Sequence, residues 1–195
     1  MIALSANFVA MELQNNTMVT LLYKSPNRTT VFIAKLVVLI IYSIVLLIVG
    51  FLFALMIKLL FANGRFDWQM IYYQHSLMID LLLNLAGVAI YLLFTITLSL
   101  LLISLFKSSA IVVVIGLFIG FLGANISGVV MQAFPSLKAV LAWNPLNMIN
   151  IISQLPDPSL TKITALTNGQ LIAGNLIYTV IFLVIGMLIF KKSNM

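Results

Sequence analysis

Long stretches without a charged residue alternate with short polar segments along the chain. The first stretch runs from Leu36 to Ile57, between Lys35 and Lys58. Its roughly 22 residues would form about 33 Å of helix, which matches a hydrocarbon core of about 30 Å. Three further stretches of the same character follow, at residues 81–106, 110–134 and 171–190. The pattern predicts four membrane spans, at about 31–61, 77–106, 109–134 and 171–190.

The composition excludes an ordinary soluble domain. Hydrophobic residues make up 63% of the 195 residues and charged residues 7%, whereas soluble domains are about 45–50% apolar and about 25% charged. A soluble chain of this size could not hide so much apolar surface in one core. We therefore expect an all-α integral membrane protein, with residues 1–195 forming a single transmembrane domain in the lipid bilayer.

The charges are few and scattered. The net charge is +6, but no basic stripe of the kind that binds nucleic acid is present, so no nucleic-acid partner is expected. Four spans place both termini on one side of the membrane. That side would carry Lys24, Arg28, Lys35, Lys107, Lys191 and Lys192, and the other Lys58, Arg65, Lys138 and Lys162. The positive-inside rule then predicts a multi-pass cell-membrane protein with cytoplasmic termini.

The chain lacks the residues and motifs that most kinds of enzyme catalysis require. The chain has no cysteine and a single histidine, His75, which removes disulfides, thiolate catalysis and multi-histidine metal sites. It has no GxxxxGK[ST] phosphate loop, no GxSxG elbow and no HExxH helix. These motifs cradle phosphates, present a nucleophilic serine and bind zinc, respectively. We expect no cofactor, no metal and no catalytic residues in this chain.

The segment before the first span, at about residues 1–29, predicts a short amphipathic helix. Asn16 can cap the helix, and Pro26 ends it because the residue before a proline is pushed out of helical geometry. One face would be apolar and the other polar, with Met18, Leu21 and Leu22 opposite Thr17, Thr20 and Lys24. Periodicity alone fits a helix resting on lipid headgroups as well as one that contacts a protein.

The segment between the third and fourth spans, at residues 135–170, is apolar but interrupted by prolines. Asn144 followed by Pro145 is a helix-start signal. Each stretch between prolines is too short to cross a bilayer. The segment therefore predicts short helices at the outer interface. Their role is open between an outer cap anchored by Trp143 and a gate for substrate.

Small residues recur every four positions along the third span, at Gly116, Gly120, Ala124 and Gly128. Such a stripe lets another backbone approach closely, which favours helix association in lipid. We expect a helix-packing face there. Its partner is open between another helix of this chain and a second subunit.

Asp80 is an acidic residue near the outer end of the second span. A carboxylate at the centre of a span costs about 2.5–3.5 kcal/mol, and less toward the interface. Asp80 could be solvated or paired with Arg65 or His75, or it could line a substrate path together with Asn84, one turn further along. The spacing of five between His75 and Asp80 sets them about 140° apart on a helix, so that they do not share a face, which argues against a paired acid and base.

One set of residues carries a family resemblance. In order, these are Glu12, the polar stretch Asn15-Asn16-Thr17, Leu21-Leu22, Ser25-Pro26-Asn27-Arg28 and Lys35. They resemble the segment of ABC-2-type transporter permeases written loosely as E, a gap, G/N-T, L-L, a gap, P-x-R, a gap, K. The later layout is similar as well, with a tight basic turn at Phe106-Lys107-Ser108, proline-rich outer helices and a last span ending in lysines.

The resemblance implies the permease subunit of an ABC-2-type transporter, an exporter that works by alternating access. It implies a separate ABC ATP-binding subunit as partner, and a homodimer or a heterodimer with another permease. The segment before the first span would be the cytoplasmic coupling helix. The residues carried over for this ATPase coupling are Thr17, Leu21, Leu22, Lys24, Pro26, Arg28 and Lys35.

The chain departs from the family in its number of spans. The family has six, and Met1 to Met11 stands where the second would end. We expect a truncated form, a fragment or a shorter relative, with the end of a preceding span at the N-terminus. Two other classes stay open: an energy-independent binding or immunity-type membrane protein, and an intramembrane enzyme centred on His75 and Asp80.

Overall fold

A computed structural model describes residue 5 and residues 28–61, 67–71 and 74–192. The secondary structure of these residues is helical, apart from one isolated bridge between Ile71 and Ser76. The long helices are α1 (Arg28–Phe61), α2 (Leu77–Phe106), α3 (Ser109–Ala133) and α7 (Asn168–Lys192). Between α3 and α7 lie the short helices α4 (Lys138–Leu141), α5 (Ile151–Gln154) and α6 (Thr161–Thr164). Three 3₁₀ turns accompany them, at Pro135–Leu137, Asn147–Asn150 and Pro158–Leu160.

The four long helices are each long and apolar enough to cross a membrane. The prediction of an all-helical membrane protein with four long apolar helices is therefore confirmed. α1 begins at Arg28, so that Lys35 lies about two turns inside the helix rather than at its mouth. The predicted amphipathic helix before α1 lies outside the described residues.

A tight turn joins α2 to α3. Lys107 has a φ of 52°, and its backbone N–H donates to the Ile103 carbonyl at 2.9 Å. Such a left-handed residue commonly ends a helix, although the position usually carries glycine. The positive charge of Lys107 also suits the negative end of the α2 dipole. α3 then starts at Ser109, which leaves no room for a longer connection.

The described residues form two compact units. Unit 1 contains residues 28–41, 92–123 and 176–192, and unit 2 contains residues 42–61, 67–71, 74–91 and 124–175. The boundaries fall within the long helices. Each long helix therefore contributes one part to each unit.

Unit 1 has an apolar core. Phe32 of α1 and Phe190 of α7 lie with ring centroids 5.6 Å apart. The same cluster contains Val31, Leu39, Ile96, Leu100, Ile103 and Val112. Gly186 of α7 permits a close helix contact, because a Cβ atom there would lie 3.3 Å from Leu101 Cα. Small residues at such contacts let membrane helices approach closely.

The buried hydroxyl groups of α2 in unit 1 are satisfied within the helix. Ser99 donates to the Thr95 carbonyl and Ser104 to the Leu100 carbonyl, each at 2.7 Å. Thr95 and Thr97 donate to carbonyls three or four residues earlier. These bonds let a helix keep polar side chains where no water is present. α2 can therefore be the most buried of the four long helices. The protein buries 56% of its apolar stretch, against 11–17% for the other three.

The short helices of unit 2 are held by buried amide side chains. Gln154, which is fully buried, donates to the Leu166 carbonyl at 2.8 Å and accepts from the Thr164 hydroxyl at 2.5 Å. Asn147 donates to the Ala142 and Thr164 carbonyls at 2.6 and 2.9 Å. These bonds satisfy irregular backbone that helix hydrogen bonds do not reach.

The prediction of short helices in residues 135–170 is confirmed. The turn after Asn144-Pro145 differs in register from the sequence signal, because the 3₁₀ turn begins at Asn147. Asn144 still caps that turn, since its Oδ1 accepts from the Asn147 N–H at 2.9 Å. Two extra residues separate the capping side chain from the first residue of the turn.

Candidate functional site

Unit 2 contains a cavity of about 490 Å³. It is walled by the end of α1, the segment 67–71, the start of α2 and the residues at and after α5. The polar or aromatic side chains on the wall are Lys58, Trp68, Asp80, Asn84, Ser153 and Asp157. A cavity of about 300–1,000 Å³ with a few convergent polar groups is typical of a small-molecule site.

Asp80 occupies the first turn of α2, where its backbone N–H donates to the Ser76 carbonyl at 3.0 Å. The residue is 8% exposed. Both carboxylate oxygens are closed to solvent, and neither accepts a hydrogen bond. Buried polar groups are normally hydrogen-bonded, and exceptions concentrate where function requires them. Asp80 is therefore the most unusual polar group on the wall of the cavity.

His75 faces Asp80. Its Nδ1 lies 3.7 Å from the Asp80 Oδ1, which is too long for a hydrogen bond. The prediction that these two side chains point apart is wrong, because α2 begins at Leu77 and His75 lies in the turn before it. Of the two partners expected for Asp80, the structure places His75 beside it, in a contact that is ionic only when the imidazole is protonated, and Arg65 lies outside the described residues.

Lys58 and Trp68 form a second polar feature of the wall. The Lys58 Nζ lies 3.7 Å from the centroid of the Trp68 ring. A turn fixes the position of Trp68, since Met70 N–H donates to the Asp67 carbonyl at 3.1 Å and Gln69 N–H to Asp67 Oδ1 at 3.4 Å. An ammonium over an indole face is attracted by the negative face of the ring. The ring thus holds the lysine cation against one side of the cavity.

Asp157 contributes the second carboxylate. Its Oδ1 accepts from Ser159 N–H at 3.1 Å and from Ser159 Oγ at 2.6 Å, at the start of the Pro158–Leu160 turn. Among the described residues, no ion pair joins Lys58 to either carboxylate of the wall. The wall therefore presents two carboxylates and one ammonium that is already engaged with Trp68.

The structure brings together the two residues predicted for a substrate path. Asp80 and Asn84 lie one turn apart on α2 and both line the cavity. Asn84 is exposed, whereas Asp80 is buried. The sequence reasoning did not single out Trp68 or Asp157, and it treated Lys58 only as the end of a span. The proline on each side of Asp157 was the available signal, because it fixes that residue in a turn.

The residues predicted for ATPase coupling fall mostly outside the described residues, namely Thr17, Leu21, Leu22, Lys24 and Pro26. Arg28 is the first residue of α1. Lys35 lies in unit 1 and is only 4% exposed. We expected its ammonium to reach the headgroups, but the protein covers this side chain. The core around Phe32 and Leu39 encloses that part of α1.

The predicted small-residue face of α3 is not one buried stripe within this chain. Gly116 is buried, Gly120 is exposed, and Ala124 and Gly128 are half-buried. A Cβ atom on Gly128 would meet nothing within 4 Å. The buried residues of α3 lie instead at Val112, Gly116, Gly123, Ser127 and Met131. Much of the stripe is thus open on the surface of the chain.

A multidentate metal site is not formed by the part of the chain that the structure describes. It contains no group of three or more His, Cys, Asp and Glu side chains. His75 and Asp80 make a pair only. The wall can therefore contact a hydrogen-bonding organic molecule better than it can coordinate an ion.

Four long apolar helices define an all-helical membrane protein, and its unit 2 contains the lined cavity. The chain belongs to the family described as "Protein of unknown function (DUF2705)", which matches residues 1–195. A comparison with curated proteins finds no match, and a comparison with solved structures finds none either.

Proposed function

We propose that this chain is the membrane-spanning permease subunit of an ABC-2-type exporter. ATP hydrolysis takes place in a separate ATP-binding subunit, because the chain has no phosphate-binding loop. Closure of the partner subunits would move the coupling segment before α1 and rock the membrane helices between two access states. The permease would act as a dimer.

The observation that carries this proposal is the way α1 starts. The segment that resembles a coupling helix leads directly into α1, and the first turns of α1 are packed in the core of unit 1. Val31, Phe32, Lys35 and Leu39 are all buried there. Close-packed interiors are stiff and transmit displacement. A displacement that reaches the first turns of α1 would thus be passed to the helices packed against them in unit 1.

The coupling proposal is tested by co-purification with the ATP-binding subunit that it requires, which is to be sought in the reading frames next to that of this chain. We expect that subunit to co-purify with the unmodified chain, and recovery to fall when Leu21, Leu22 and Arg28 are replaced together by alanine. Leu160→Ala, in the Pro158–Leu160 turn, is the control and should leave recovery unchanged. Equal recovery from the triple variant and the control would contradict the coupling role.

The proposed orientation has both termini in the cytoplasm, and it can be measured separately. Because the chain has no cysteine, single cysteines introduced by Lys107→Cys and Lys162→Cys can be labelled without background. Both lysines are exposed. A membrane-impermeant maleimide should label intact cells at position 162, and position 107 only after the cells are opened. The reverse pattern would place the coupling segment on the wrong side.

A second candidate is favoured by the cavity itself. The described residues that line it all belong to unit 2 of this chain. An energy-independent binding or immunity-type protein could use such a cavity to sequester a ligand. This candidate predicts full function in cells that lack the partner ATPase, whereas the exporter predicts loss of function there.

A further inference from the structure

Asp80 lacks the hydrogen-bond donors that a buried carboxylate requires. Its two oxygens are closed to solvent and accept no hydrogen bond. Among the described residues, the basic group in contact is His75, whose Nδ1 lies at 3.7 Å and is itself buried without a hydrogen bond. A carboxylate buried without donors is unfavourable and is normally compensated. The described residues around Asp80 donate no hydrogen bond to it, at a position on the wall of a cavity.

The other residues that line the cavity indicate which class of ligand could supply those hydrogen-bond donors. Its apolar part consists of Ala54, Leu77, Leu81, Pro156 and Leu160. Among the described residues of the wall, there are two carboxylates, of Asp80 and Asp157, and one ammonium, of Lys58, which already lies on the Trp68 ring. The charge balance favours a positive ligand over an anion. The described residues also lack the ligand cluster that a metal ion needs.

We propose that this cavity binds an amphipathic molecule with a primary ammonium group. The ammonium donates to the Asp80 carboxylate, and the apolar body lies against Leu77, Leu81 and the residues after α5. The carboxylate turns from His75 toward the cavity to do so, and this rotation breaks no hydrogen bond because none is made. The Asn84 amide oxygen and the Ser153 hydroxyl are acceptors for the remaining N–H groups.

The inference names the ligand class of the cavity that the proposed exporter would use, and to that extent it rests on the proposed function. Binding itself needs only this chain. The test below contains no ATP-binding subunit, so a failure to bind amines and a failure to recruit an ATPase are separate results.

The chain provides its own reporter. It has two tryptophans, Trp68 and Trp143, and Trp143→Phe leaves Trp68, on the cavity wall, as the only one. We would place this variant in nanodiscs of phosphatidylcholine, whose headgroup has no N–H, and titrate octylammonium. We expect a saturable change in Trp68 fluorescence. Octyltrimethylammonium, which has the charge but no N–H donor, and octanoate should each bind about tenfold more weakly or worse.

Variants then locate the binding group. Asp80→Asn in the same background should weaken octylammonium binding at least about tenfold, because it removes the charged acceptor. Asp67→Asn is the matched control, since Asp67 is exposed and does not line the cavity, and asparagine keeps the Oδ1 that accepts from Gln69 N–H in the turn of Trp68. If the Trp143→Phe variant, whose cavity residues are all unchanged, bound octylammonium and octanoate equally well, the proposal would be overturned even if Asp80→Asn did not fold. Equal octylammonium binding by the two asparagine variants would overturn it as well.

The ammonium could belong to a lipid or to a soluble amine, and nanodiscs containing phosphatidylethanolamine distinguish the two. If the lipid headgroup occupies the cavity, octylammonium must compete and its apparent affinity should fall. If a soluble amine is the ligand, the affinity should be the same in both nanodiscs. Either result supports the ammonium site, and octylammonium binding that never saturates in either nanodisc contradicts it.

Discussion

Gly87 of α2 faces the backbone of Ile151 in α5 so closely that a Cβ atom on Gly87 would lie 3.0 Å from the Ile151 carbonyl oxygen. The same atom would lie 3.1 Å from Ile152 Cα. Neither neighbour is the end of a flexible side chain, so neither can move aside without moving backbone. This contact fixes the start of α2 against the short helices of unit 2.

Gly87→Ala should therefore lower the stability of the protein. Forcing a methyl group into a packed contact typically costs about 1–3 kcal/mol. The midpoint of thermal unfolding in detergent should fall by several degrees. Gly50→Ala is the control, because a Cβ atom there would meet nothing within 4 Å. Equal midpoints for the two variants would show that α2 and α5 do not approach in this way.

Gln154→Leu should destabilise unit 2, although the two side chains are close in size. It removes the donor to the Leu166 carbonyl and the acceptor of the Thr164 hydroxyl. Each buried group that loses its partner costs about 1–3 kcal/mol. Thermal unfolding measures the loss. The exposed Gln132 of α3 provides a control, and Gln132→Leu should leave the midpoint unchanged.

Asp80→Asn should preserve or raise stability, in contrast to its loss of amine binding. It removes a charge that is closed to solvent and without hydrogen bonds, and such a charge is unfavourable. Asp157→Ala should act in the opposite direction. It removes the acceptor of Ser159 N–H, and loss of such a cap costs about 1 kcal/mol. If Asp80→Asn lowered the unfolding midpoint as far as Asp157→Ala does, Asp80 would be a structural residue.

Gly128→Leu should weaken the proposed dimer and leave the fold of the chain intact. A Cβ atom at Gly128 has open space within the chain, whereas a close contact with a second copy would be blocked. The exposed Leu117 of the same helix allows disulfide cross-linking through Leu117→Cys in this cysteine-free chain. We expect cross-linked dimer to fall about tenfold, which corresponds to about 1.4 kcal/mol. Gly50→Leu should not reduce it, and an equal effect of both would exclude a specific α3 interface.

The long helices could be predicted because a run of about 20 or more residues without a charge matches the thickness of a bilayer and is rare in other structures. The bounds of α2 and α3 follow the run of residues between charged or polar ends. The burial of Lys35 was less accessible to sequence reasoning, since this residue is charged and yet lies under cover of the protein. A burial that depends on tertiary packing leaves no mark in local hydrophobicity.

The cavity could be predicted only in part. Asp80 and Asn84 stood out because polar residues in a span are rare and costly. The sequence reasoning named His75 as one partner of Asp80, yet it argued against an acid and base pair because it placed both residues on one helix, whereas α2 starts at Leu77. Lys58 and Trp68 are ten positions apart and meet through a connection whose path no periodicity specifies. Gly87 carried no signal, since a glycine in a membrane helix is common whether or not another backbone touches it.

α1 is a single helix of 34 residues, or about 51 Å at about 1.5 Å per residue. The acyl chains of an ordinary bilayer occupy only about 30 Å. Since α1 is unbroken, it is longer than the hydrocarbon core is thick. The helix must therefore tilt, or some of its turns must extend beyond the bilayer. Membranes with longer acyl chains would then engage more of α1 without stretching it, which gives the protein tolerance to bilayer thickness.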